Sequence, residues 1–116
     1  VTLPDGKTPH EMIFKGAPLL DWEMDIAWVI RGGADPIKLI KKYAGNITAA
    51  HIKDIAPKGK NADEDGWADV GHGTVDWKPI MAALKKTRVR HFVLEHDKPS
   101  NTKRFAERSF VAASKL

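Results

Sequence analysis

Hydrophobic positions along the chain come in short runs whose spacing alternates between the strand and the helix period. Residues 19–25, Leu-Leu-Asp-Trp-Glu-Met-Asp, read as a strand ending in a carboxylate. Gly32-Gly33 breaks the chain, and Asp35-Pro36 then gives a helix N-cap followed by proline at the first helical position. Ile37, Ile40 and Ala44 line one face of that helix, and Gly45-Asn46 stops it. Residues 47–52, Ile-Thr-Ala-Ala-His-Ile, run almost without polar interruption, as parallel strands covered on both faces do. Asp76 caps a helix over residues 77–87 with Ile80, Met81 and Leu84 on its inner face. Residues 91–96, His-Phe-Val-Leu-Glu-His, predict another buried strand carrying a carboxylate at its end. Ser100 or Asn101 starts a last helix with Phe105, Ala106, Ser109, Phe110 and Ala113 on one side.

Two segments lack such periodicity. Residues 1–18 are rich in Pro, Gly and Lys and read as a loop or short ribbon with a turn at Pro4-Asp5-Gly6. Residues 54–70 are polar and form a long connection, of the length that in compact domains is functional or disordered (above ~12–15 residues). The order strand, helix, strand, loop, helix, strand, helix predicts an α/β fold with a parallel sheet and right-handed crossovers.

Composition narrows the chemistry. The 116 residues suffice for one domain. Hydrophobic residues at 42% and charged residues at 29% are those of an ordinary globular protein. No apolar run approaches the ~20 residues that span a bilayer, and Val1-Thr2-Leu3-Pro4-Asp5 has neither the basic region nor the apolar core of a signal peptide. The expected location is therefore cytoplasmic, a signal on a longer precursor aside, and no membrane partner is expected. The absence of cysteine rules out disulfides and Cys-based zinc sites. Any metal must be held by His, Asp and Glu, which suit Mn, Mg, Co or Zn. The net charge of +4 is spread over Lys38/Lys41/Lys42, Lys85/Lys86 and Lys103/Arg104. Each group lies on the outer side of an expected amphipathic helix, so solvated faces explain the charge better than an anionic partner, and nucleic acid is not expected.

Three expected strands end in potential metal ligands, Asp25, His51 and Glu95. In parallel α/β folds the site lies at the C-terminal strand ends, and neighbouring strands ~5 Å apart let such side chains converge on one ion. One histidine and two carboxylates make an oxygen-rich site with exchangeable positions. A histidine in Ala-Ala-His-Ile also has a plainer reading, a buried neutral imidazole bonded to backbone.

Four stretches in order resemble the sugar phosphate isomerase/epimerase family of the xylose-isomerase-like barrel superfamily. They are Glu-Met-Asp25-Ile-Ala-Trp28 followed by Gly-Gly-Ala-Asp-Pro36, His51-Ile-Lys53-Asp54, Val70-Gly71-His72-Gly73-Thr74-Val75-Asp76-Trp77, and Val93-Leu94-Glu95-His96-Asp97. Together they cover about residues 19–115. The resemblance implies the last three or four strand–helix units of a TIM barrel over residues 19–116. It implies a divalent-metal-dependent isomerase or epimerase acting on a sugar, keto-sugar or sugar phosphate, by proton abstraction next to a carbonyl through an enediolate. Asp25, His51 and Glu95 match three of the family's four metal ligands, and Glu95 also matches its acid/base carboxylate. The fourth ligand, a glutamate on an earlier strand, has no match here.

Other positions follow from the same alignment of motifs. Trp28 stands where ketose epimerases of this family carry a substrate-binding histidine, which suggests an apolar platform against a sugar face. Lys53 and Asp54 at the strand's mouth either touch substrate or fix the loop. Asp97 is expected to orient a ligand from behind. A complete barrel takes ~250 residues, so the chain is expected to need a complementary half-barrel, from the same protein or another chain. His72 reads as a turn residue in solvent, and Trp22, Trp67 and Trp77 as packing residues.

Rival readings share the scaffold. A keto-sugar or keto-inositol lyase or dehydratase would use the same metal and proton abstraction. A type IV apurinic endonuclease would need further His and Asp ligands, for which residues 63–73 offer no convincing equivalent. A non-catalytic half-barrel module would explain the missing fourth ligand but not the retention of Asp25, His51 and Glu95 together. The terminal Ser114-Lys115-Leu116 matches a peroxisomal address, a weak three-residue signal.

Overall fold

The computed structural model describes residues 2–116 and runs α1 (Pro9–Gly16), β1 (Trp22–Asp25), α2 (Ile26–Arg31), α3 (Pro36–Lys42), β2 (Ile47–Ile52), β3 (Asp54–Ile55), a short 3-10 turn (Ala62–Glu64), β4 (Trp67–Ala68), α4 (Trp77–Leu84), β5 (His91–Leu94) and α5 (Thr102–Ala113). The fold is α/β. β1, β2 and β5 form a parallel sheet in that order, with β2 in the centre. The register places Asp25 beside His51 and His51 beside Val93. Glu95 continues the ladder one step past β5, its backbone N–H donating to the Ile52 carbonyl at 3.2 Å.

Alternation along the strands sorts the side chains to two faces. Met24, Ala50 and Ile52 point to the helices, where they join Ile26, Ile40, Ile80 and Leu84 in the core. α3 and α4 pack against each other over this face. Truncating a buried member such as Leu84 to alanine removes transfer energy and leaves a cavity, at about 2–5 kcal/mol. The opposite face carries Glu23, Asp25, His51 and Val93.

That second face is open, and it corrects the expectation that residues 47–52 and 91–96 are covered on both sides. His51 is half-buried, and beside it on β5 Val93 is 39% exposed. An apolar run in sequence marks a strand able to be buried. Whether it is buried depends on a layer that these residues do not supply.

The N-terminal segment is also corrected. Instead of a loop or ribbon, residues 9–16 are a helix. Thr8 and Glu11 form a reciprocal capping box, the Glu11 backbone N–H donating to the Thr8 hydroxyl and Glu11 accepting from the Thr8 backbone, with Pro9 at the first helical position. These local bonds outweigh the Pro and Gly content that suggested a loop. His10 and Phe14 from this helix pack on Trp22, with ring centroids 4.1 Å and 5.8 Å away, and Glu11 pairs with Lys42 of α3 at 2.6 Å.

Asp35 caps α3 as expected, accepting from the backbone of Ile37 and Lys38. Asn101, rather than Ser100, caps α5 through the Arg104 N–H. Asp76 stands at the N-cap of α4 without a side-chain bond, and that helix ends at Leu84, three residues short of the expected 87. The long polar connection is ordered. β3 and β4 pair antiparallel, with Asp54 opposite Ala68 and Ile55 opposite Trp67.

Candidate metal centre

Parallel register brings the three strand-end residues together. Asp25, His51 and Glu95 each offer a ligand atom, all within 4.8 Å of one another. His51 Nδ1 lies 2.6 Å from Glu95 Oε2 and 3.5 Å from Asp25 Oδ2. Asp25 divides its carboxylate between two tasks. Oδ1 accepts the Trp28 backbone N–H at 2.9 Å and so caps α2, which leaves Oδ2 to face the histidine. The strand-to-helix junction thereby fixes one oxygen and aims the other.

The second ring nitrogen of His51 is held by Glu23, Oε1 to Nε2 at 2.9 Å. Sequence reasoning passed over Glu23. The signal was available, because Glu23 precedes Asp25 by one strand period and shares its face. Partial burial of the His51 ring works against its charge, but the Glu23 hydrogen bond and the Glu95 charge outweigh it and hold its pKa above the usual histidine value.

Lys53, expected either to touch substrate or to fix the loop, is fully enclosed, at 0% exposure. Its Nζ lies under the rings of Trp67 and Trp28, 4.2 Å and 5.4 Å from their centroids. Around it stand Asp97 Oδ1 at 2.5 Å, Asp25 Oδ2 at 3.7 Å and Glu95 Oε2 at 3.7 Å. These are ion pairs without hydrogen-bond alignment, so Lys53 Nζ and Glu95 Oε2 are buried polar atoms with no hydrogen-bond partner. Asp97 meets the lysine and orients that cation.

Asp54 is 1% exposed and its carboxylate is saturated, which favours the second of its two expected roles. Oδ1 accepts from the backbone of Ile55 and Val75, and Oδ2 from the Gly71 backbone and the Trp77 indole N–H. The residue fixes the loop. Gly73 explains how closely: a Cβ there would overlap the Asp54 carboxylate and the Ile55 carbonyl. At Gly71 the backbone has φ +77, and a Cβ would lie 2.7 Å from Ala112 of α5.

Trp28 is 52% exposed beside the cluster, edge-on to the buried Trp67 at 5.0 Å. Arg31 stacks over Trp67 with its guanidinium carbon 3.2 Å from the ring centroid. His72 is in solvent at the rim of a polar cavity of about 290 Å³. Behind that rim Arg104 bridges Glu64 and Asp69, at 2.7 and 2.9 Å, and ties the loop to α5. No local pattern marks this bridge, whose partners are 40 and 35 residues apart.

The donor set fits a hard or borderline divalent ion. It comprises one imidazole whose far nitrogen is already held by a carboxylate, and two carboxylate oxygens turned toward it, neither of them engaged in a hydrogen bond. Among the described residues no helix is long and apolar enough to cross a membrane. No protein-family profile matches the chain, and no curated protein matches it significantly.

Proposed function

We propose that the chain carries the metal site of a divalent-metal-dependent isomerase or epimerase acting on a sugar, keto-sugar or sugar phosphate. One observation carries the reading: Asp25, His51 and Glu95 converge at the C-terminal ends of three adjacent parallel strands. The resemblance of the four motifs to the sugar phosphate isomerase/epimerase family points the same way.

Asp25, His51 and Glu95 would hold the ion, either Mn, Mg, Co or Zn. When bound, such an ion polarises a carbonyl and steadies charge developing on it and on the neighbouring hydroxyl oxygen. The protein's own groups do the rest. Glu95 moves the proton on the carbon next to the carbonyl, the acid/base role that the resemblance of its motif implies. Glu23 holds the His51 ring in orientation. Trp28 offers an exposed apolar face to one side of a sugar ring.

The open face of the sheet supports the finer fold reading, the C-terminal half of a TIM barrel. In a closed barrel that face points inward and is filled by side chains from the other strands. β1 and β5 are edges of the sheet, and edges of this kind are ordinarily paired or covered. The occupant that matches a parallel sheet with ligands at its C-terminal ends is a complementary half-barrel bringing the fourth ligand and a second acid/base.

Titration with Mn(II) tests the site directly. Stoichiometric binding that is lost in His51→Ala supports the reading, and an unchanged isotherm in that variant sinks it. With the barrel complete, Glu95→Gln must abolish turnover of keto-sugars. Full turnover in that variant removes Glu95 from the chemistry. Loss of a group from the product, rather than rearrangement, would select a lyase or dehydratase on the same site.

A further inference from the structure

Two carboxylate oxygens in this cluster each face two nitrogens. Asp25 Oδ2 lies 3.5 Å from His51 Nδ1 and 3.7 Å from Lys53 Nζ. Glu95 Oε2 lies 2.6 Å from His51 Nδ1 and 3.7 Å from Lys53 Nζ. Carboxylates shared between two cationic positions are the arrangement of two-metal sites, in which bridging groups hold ions ~3.5–4 Å apart. Here the first position has the imidazole as its further ligand. The second has Asp97, and the cation already in it is the Lys53 ammonium, 2.5 Å from Asp97 Oδ1.

Resting on the metal-site reading above, we propose that Lys53 is a built-in second cation. It occupies the place of a second metal ion and holds the centre to one divalent ion per chain. The lysine is suited to this and poorly suited to contact with substrate. It is fully enclosed, capped by the Trp67 and Trp28 rings, and its Nζ is unpartnered by any hydrogen bond. A buried ammonium among carboxylates is retained only where its charge is matched. Remove it, and Asp25, Glu95 and Asp97 carry negative charge that a second divalent ion can offset. Lys53 thus acts as a positioning residue, spacing the Asp25 and Glu95 oxygens so that each keeps one side turned to the metal.

The test is the number of Mn(II) ions retained per chain after saturation and gel filtration, read by elemental analysis and by the spin coupling of Mn pairs in EPR. Wild type is expected to hold one ion with an uncoupled signal. Lys53→Ser, which frees volume and removes the charge, is expected to hold two with a coupled signal. Adding Asp97→Asn to that variant is expected to return it to one. Lys53→Ala, which also frees the volume and removes the charge, serves if the serine variant does not fold. A second ion in wild type overturns the proposal, as does a folded serine or alanine variant that holds one. If neither variant folds, the wild-type count decides. No ion bound by wild type overturns the metal-site reading itself, and with it this inference, whereas one ion in both wild type and variant overturns this inference alone.

Discussion

Glu23 Oε1 sits 2.9 Å from His51 Nε2, on the neighbouring strand and on the same face of the sheet as Asp25. The contact fixes which ring nitrogen is left to meet Asp25 and Glu95, and it does so from a residue that offers no ligand atom to the cluster. Partners of this kind set both the orientation and the basicity of a ligating imidazole.

Glu23→Gln is therefore expected to weaken divalent binding by about 10–100-fold with little change in thermal stability, because the Glu23 side chain is more than half exposed. Isothermal titration with Mn(II) beside a melting curve checks both halves. An unaltered affinity would show that the histidine is oriented by packing alone.

How far the sequence carried this picture depends on the range of the physics involved. β2, the Asp35 cap of α3 and the convergence of Asp25, His51 and Glu95 were legible, because periodicity, capping chemistry and strand-end position are local properties. Lys53 and Asp54 were not. Both follow His51 directly, and their burial depends on Trp67, Gly71 and Trp77, which arrive after a long polar connection. Lys53 and Asp54 at the strand's mouth read equally as touching substrate or fixing the loop until the groups that enclose them are placed. The helix at 9–16 was legible in principle, since Thr8-Pro9 with Glu11 is a capping box, but Pro and Gly content obscured it.

Asp54→Asn tests the structural role. The amide puts donors where Gly71 N–H and the Trp77 indole N–H, or the Ile55 and Val75 N–H groups, now donate. A loss of about 2–4 kcal/mol is expected for buried donors left unpaired, which lowers Tm on the order of 10 °C for a domain of this size. Mn(II) affinity of the folded fraction should hold. A stable variant with weakened metal binding would move Asp54 back into the site.

Two glycines should respond differently to alanine. Gly33 has φ +78 and open space around its Cα, so Gly33→Ala costs only backbone strain, about 1 kcal/mol. At Gly73 the added methyl strikes the Asp54 carboxylate and the Ile55 carbonyl, and the loop must move, at about 2–3 kcal/mol. Chemical denaturation of the two variants gives the ordering. Equal losses would mean that the loop around Asp54 yields freely.

Acid sensitivity should originate in the bridge between the loop and α5. Glu64 accepts hydrogen bonds from Ser100 and from Arg104, and these hold its pKa down to about 2 against the desolvation that opposes them. A depressed carboxylate contributes stability above its unfolded value of 4.5 that is lost as pH falls toward 2. The shift is worth roughly 3 kcal/mol at face value, and partial exposure of Arg104 reduces it to about 2. His96, 3.6 Å from Glu64, adds an earlier limb. Burial lowers its pKa from 6.5, so the unfolded chain takes up the proton first and stability begins to fall below pH 6.5. Tm against pH should thus decline in two stages. Glu64→Gln should flatten the stage between 4.5 and 2 while leaving a protein less stable at neutral pH, where the Arg104 bridge is broken. His96→Gln should shrink the stage that begins at 6.5, which it shares with His10, whose pKa burial also lowers. A single acid transition unaffected by Glu64→Gln would place the acid-sensitive contact elsewhere, with the surface pair of Glu11 and Lys42 as the next carboxylate to test, since Lys42 holds the Glu11 pKa down to about 2.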